Sequence, residues 1–137
     1  MLEAGIQQLV VADAGVQAII GTRFYPVLVP ENPTYPCATY QTISNAPSYL
    51  LEGQPTLSSM RIQVDTWSGG TKDATYLAAK QAQEAISEVL DLFKGTLPDG
   101  TRVAGIFVVG SRDLYEQDAR VYRTTTDYQI FVYPDAG

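Results

Sequence analysis

The sequence predicts an α+β domain: a mainly antiparallel sheet of four to five strands with two helices packed on one face. Three observations carry this expectation. Residues 102–133 divide into two strand-forming runs around a charged connector, and Ser59–Trp67 alternates with period two. Apolar residues at helical spacing occupy Leu2–Ile20 and the stretch from Thr71 to about Phe93. The order helix, strands, helix, strands, with no repeat or linker, reads as a single domain over residues 1–137.

From the N-terminus, Leu2, Ile6, Leu9, Val10, Val16, Ile19 and Ile20 recur at spacings of three and four. Asp13 interrupts this pattern and is placed to cap a second helical segment, which Gly21 ends. Arg23–Val29 reads as a short strand, and the prolines of the 30–36 segment force a loop. Cys37–Ser44 is rich in strand formers and is expected to pair antiparallel with Ser59–Trp67. Between them, Asn45–Ser58 is longer than a hairpin loop and carries the apolar triplet Tyr49, Leu50 and Leu51. Thr71 is the expected N-cap of the second helix, with Gly95 as its stop. That helix is expected to face the sheet with Ala74, Ala78, Ala82, Ala85, Ile86, Val89 and Phe93 and to turn Lys80, Gln83, Glu84, Ser87 and Asp91 outward. Pro98-Asp-Gly100 is a turn into Arg102–Tyr115, which is apolar on both parities through Ile106–Val109 and therefore reads as a central strand. In Ala119–Tyr133, Tyr122, Thr124, Thr126, Tyr128, Ile130 and Val132 share one parity, and Arg123, Thr125, Asp127 and Gln129 the other.

Nine basic against fifteen acidic residues give a net charge of −6. That balance argues against phosphate-backbone binding, which depends on clustered Lys and Arg, and no basic stripe is visible. No run approaches the ~18 apolar residues that span a bilayer, and the N-terminus lacks the basic region of a secretion signal, so a cytoplasmic site of synthesis and no membrane partner are expected. With one cysteine and no histidine, metal sites and His-dependent catalytic arrangements are not expected. Gly69-Gly-Thr-Lys72 lacks phosphate-loop spacing, and Asp113, Glu116 and Asp118 lie beside Arg112 and Arg120, where ion pairing is the simpler reading than a catalytic carboxylate pair. Cys37 reads as a small core residue. No catalytic, cofactor or metal residue is assigned.

The wet face of the sheet is more informative. Arg61, Asp65 and Trp67 share one parity, and if their strand neighbours Ala119–Tyr133, opposite charges meet as Arg61 with Asp127 and Asp65 with Arg123. Trp67 brings to that face an apolar area that needs a cover, and Tyr76 and Leu77 fall on the polar side of their helix or its edge.

Ala12-Asp-Ala-Gly-Val16, Gly21-Thr-Arg-Phe-Tyr-Pro26, Tyr35-Pro36, Arg61-Ile-Gln-Val-Asp-Thr-Trp67, Arg112-Asp-Leu-Tyr-Glu116, Tyr122-Arg123 and Asp127-Tyr128 occur in an order that resembles the tail-completion, or tail-to-head joining (tail-terminator-like), proteins of long-tailed bacteriophages. The resemblance covers nearly the whole chain. It implies a small α+β structural protein of the virion without catalytic residues, in a ring, usually a hexamer, that caps the tail tube at its head-proximal end and meets the head connector. DNA would only pass through such a ring. Tyr49, Leu50, Leu51, Arg61, Asp65, Trp67, Tyr76, Arg123 and Asp127 are the expected contacts among subunits, tube and neck. The alternative is a small enzyme or ligand-binding domain with a pocket between sheet and helices.

Overall fold

Asp13 splits the N-terminal helical stretch in two: its carboxylate accepts from the Val16 N–H at 3.0 Å, an N-cap that contributes about 1 kcal/mol. Helix α1 (Leu2–Ala12) therefore ends where α2 (Ala14–Ile20) begins, and Gly21 closes α2 at φ 60. The computed structural model describes residues 1–46, 57–69, 75–117 and 119–134. The remaining described elements are β1 (Phe24–Pro26), β2 (Cys37–Ala46), β3 (Ser58–Gly69), α3 (Tyr76–Leu90), β4 (Gly95–Thr96), β5 (Arg102–Glu116) and β6 (Val121–Val132). Tyr49, Leu50, Leu51 and Asp118, and most of the long connection after β2, lie outside the described residues.

The sheet is curled and has six strands in the order β1-β2-β3-β6-β5-β4. The α+β class holds, with three corrections. The strands number six instead of four to five: β1 falls within the short strand expected at Arg23–Val29, whereas two-residue β4 is too short to leave a periodic signal. The sheet is mixed, since β1 runs parallel to β2 while the other pairings are antiparallel. Three helices, in place of two, share the inner face: Ile6, Val10, Val16, Ile20 and Ile86 join Ala38, Ile62, Val64, Ile106, Tyr128 and Ile130 in one buried cluster.

Strand β5 is not central. β3 and β6 occupy the middle, and among the described residues β5 is covered on its outer side only by β4 and the segment before it. Its run of apolar residues is accordingly open to solvent, with Phe107, Val108 and Val109 exposed by 45%, 41% and 49%. Helix α3 also differs from expectation. Its N-cap is Thr75, whose hydroxyl accepts from the Ala78 N–H at 3.1 Å, and residues 71–74 are not described. It stops at Leu90 instead of Phe93, because Leu92 takes φ 65 and the backbone of Leu92 and Phe93 bonds both sides of Ile106 on β5.

The face that α3 presents to the sheet differs from expectation as well: Gln83 is buried and Ser87 half-buried against the sheet. The sheet residues beneath are hydroxyl-bearing and need partners once buried. Gln83 Nε2 donates to Thr126 Oγ1 at 2.5 Å, Ser87 Oγ pairs with Tyr128 Oη at 2.6 Å, and Thr66 Oγ1 donates to the Ala79 carbonyl at 2.8 Å while touching Thr124 Oγ1. Burial pushes the Tyr128 hydroxyl up to about 12, with the Ser87 bond opposing it.

Candidate assembly interface

Alternation along β3 sends Ile62, Val64 and Thr66 toward the helices, which leaves Arg61, Gln63, Asp65 and Trp67 on the opposite face. β6 does the same with Arg123, Thr125, Asp127 and Gln129. The register places Trp67 opposite Arg123, Asp65 opposite Thr125, Gln63 opposite Asp127 and Arg61 opposite Gln129. Each ion pair anticipated from the sequence is thus a diagonal one. Arg123 Nη2 lies 2.8 Å from Asp65 Oδ2, and Arg61 Nε lies 3.9 Å from Asp127 Oδ2. Arg123 uses its other terminal nitrogen on Glu116 of β5, 3.2 Å away. One guanidinium ties together three strands.

Trp67 is half-buried, and the same Arg123 covers it, its guanidinium 4.8 Å from the ring centre. The indole N–H donates to Thr39 Oγ1 on β2 at 3.2 Å. A cleft of ≈ 290 Å³ beside it is lined by Val27, Leu28, Tyr35, Asp65, Trp67 and Arg123. The aromatic is therefore built into the face, and its open side borders a cleft. Polar capacity is left over: Arg61 Nε, Arg123 Nε, Thr125 Oγ1 and Asp127 Oδ1 are buried without hydrogen-bond partners among the described residues.

Tyr76 belongs to a different surface. Its hydroxyl donates to Asp113 Oδ2 at 2.6 Å, and Lys80 reaches the other oxygen at 3.3 Å; the Tyr76 hydroxyl and Lys80 hold the Asp113 carboxyl below its usual range, while the bond to Asp113 raises the Tyr76 hydroxyl above its own against the opposing pull of Lys80. Tyr122 lies against Tyr76 and Tyr115, ring centres 6.2 and 4.9 Å apart, and Leu77 beside them is 65% exposed. This aromatic corner, where the start of α3 meets the β5–β6 hairpin, eluded sequence reading apart from Tyr76. The clue was present in the tyrosines at 76, 115 and 122: the expected hairpin of β5 with β6 sets Tyr115 opposite Tyr122, but the placement of the start of α3 over that hairpin is needed to add Tyr76.

Between sheet and helices, the described residues place the core side chains and the paired hydroxyl and amide groups of Thr66, Gln83, Ser87, Thr126 and Tyr128. These polar groups are spent on each other. A larger cleft, ≈ 540 Å³, lies at the end of the sheet among Leu2, Asn45, Met60, Asp99 and Val132, away from that layer. Cys37 is buried, and burial raises its thiol to about 11 against the opposing pull of Arg23. No group of histidine, cysteine or carboxylate residues with metal-binding geometry occurs among the described residues.

The model of the family described as tail completion protein gp17 matches residues 4–133. Curated proteins supply no match. Among solved structures, a chain of the virion of a native gene transfer agent particle has the same fold, with a TM-score of 0.75 and 19% identity over 97% of this chain and 95% of that one.

Proposed function

Because the chain belongs to the tail completion protein gp17 family of structural phage tail proteins, we propose that it acts without turnover, as one subunit of a ring at the head-proximal end of a long tail. The match over residues 4–133 carries this reading. In it, the ring is made of about six copies of this chain and rests on the last turn of the tail tube, with its other side toward the head connector. Assembly takes place in the host bacterial cytoplasm, and DNA crosses the ring without being gripped, in keeping with a net charge of −6.

The face formed by β3 and β6 supports the reading through its chemistry. A half-buried tryptophan beside a cleft, surrounded by ion pairs with unspent donors and acceptors, suits an interface whose aromatic supplies affinity and whose charges fix register. Arg61, Asp65, Trp67, Arg123 and Asp127 are the proposed contacts there, and Tyr76 at the aromatic corner is a second. Tyr49, Leu50 and Leu51 are proposed on sequence grounds alone.

Quantitative mass spectrometry and electron microscopy of purified particles test the reading. The expected result is about six copies per particle, located by antibody labelling at the junction of head and tail. Copies spread along the tube, or none in the particle, would overturn it.

A further inference from the structure

The outer side of β5 carries an inference independent of the ring. As far as Val108 this side is occupied: Arg102 and Val103 pair with β4, Ile106 bonds Leu92 and Phe93, and the Val108 N–H donates to Asp91 Oδ1 at 3.3 Å. From Val109 to Glu116 no described strand pairs with it. Ile106 points both backbone groups outward, and the extra residue at the bulge between Val108 and Gly110 shifts the phase, so that Ser111, Asp113 and Tyr115 direct theirs outward beyond it. Leu114 and Tyr115, on opposite faces of this open edge, are 39% and 49% exposed. Unpaired backbone flanked by apolar side chains is a template for another strand.

The opposite edge of the sheet does not supply that strand. Along β1 the Phe24 N–H is already bonded to the Thr22 carbonyl, Pro26 has no N–H, and the Pro26 carbonyl accepts from Leu28. A second copy of β5 does supply it. With a two-fold axis perpendicular to the sheet at Leu114, antiparallel pairing sets Leu114 against its own copy, Asp113 against Tyr115 and Arg112 against Glu116. The residues that point their backbone groups outward then face each other. Moving the axis to Arg112 or Asp113 would oppose like charges. Arg112 has no ion-pair or hydrogen-bond partner among the described residues, and Glu116 uses only Oε1 within the subunit.

We propose that the free subunit is an isologous dimer in which β5 pairs with β5 of a second copy about a two-fold axis at Leu114, closed on each side by Arg112 and Glu116. The pairing hides an aggregation-prone edge before the protein enters a particle.

Sedimentation equilibrium of the full chain over a range of concentrations is expected to give twice the subunit mass at the upper end. Arg112→Glu and Glu116→Arg are each expected to weaken the dimer about tenfold, since both symmetry-related pairs become like-charged, and the double swap is expected to restore it. Leu114→Cys is expected to form a disulfide-linked pair on mild oxidation, because opposed residues of a non-hydrogen-bonded antiparallel pair have Cα atoms within disulfide range. Leu77→Cys, exposed on α3, serves as the control. A monomer at every concentration, a hexamer in which Leu114→Cys does not link, or a double swap no better than either single reversal would overturn the proposal. The hexamer result would leave the ring reading standing.

Discussion

Arg123 lies directly opposite Trp67 in the pairing of β6 with β3, its guanidinium 4.8 Å from the indole ring and 2.8 Å from the Asp65 carboxylate. Asp65 is only 6% exposed. Removing Arg123 would leave that carboxylate with the Gln63 amide as its remaining side-chain partner. Arg123→Met is therefore expected to cost about 3 kcal/mol in urea unfolding. Asp65→Asn combined with Arg123→Met should cost clearly less than the two single changes summed, and strict additivity would show that the pair does not interact.

The seam under α3 leads to a second expectation. Gln83→Ala removes the amide that satisfies Thr126 Oγ1 in a buried site. A loss of about 1–3 kcal/mol in chemical denaturation is expected. A neutral result would mean that Gln83 lies on the solvent side of the helix, as its polarity alone suggests.

That contrast shows what was legible in the sequence and what was not. The alternation of β3 and β6 is a local, period-two signal, so the face that carries Trp67 followed from it, while the pairs Arg61 with Asp127 and Asp65 with Arg123 followed only on the condition, met in the structure, that the two strands are antiparallel neighbours. The Asp13 cap was legible for the same reason, being complete within three residues. Gln83 and Ser87 misled because their burial depends on hydroxyls some forty residues later in the chain. Strand β5 misled because an apolar run on both parities serves equally for a strand covered on both faces and for an edge awaiting a partner. The corner of Tyr76, Tyr115 and Tyr122 depends on both of those placements at once.

Acid should reveal the contact between α3 and β5. The Asp113 carboxyl is held below its usual range by the Tyr76 hydroxyl and Lys80, against a smaller opposing effect of burial. A carboxyl depressed on folding stabilises fully above its unfolded pKa of about 4, and that contribution fades as pH falls through the lower folded value. The difference in thermal midpoint between the native chain and Asp113→Asn is thus expected at neutral pH and should shrink below about pH 4. A difference independent of pH would remove the carboxylate from the explanation.

Cys37 should be inert in the folded protein. Its side chain is buried and its thiol is raised to about 11, so at pH 8 almost no thiolate forms and reagents have no access. A chromogenic disulfide reagent is expected to react only after denaturant is added. Rapid reaction in native buffer would contradict the placement of β2 in the sheet.

The central claim is that this chain completes the tail so that it can join the head. Electron microscopy of particles made by a phage or prophage lacking the chain tests it most directly. Filled heads and separate tails, unjoined or overlong, are expected, with joining restored when the chain is supplied from a plasmid. Normal joined virions in its absence would contradict the account.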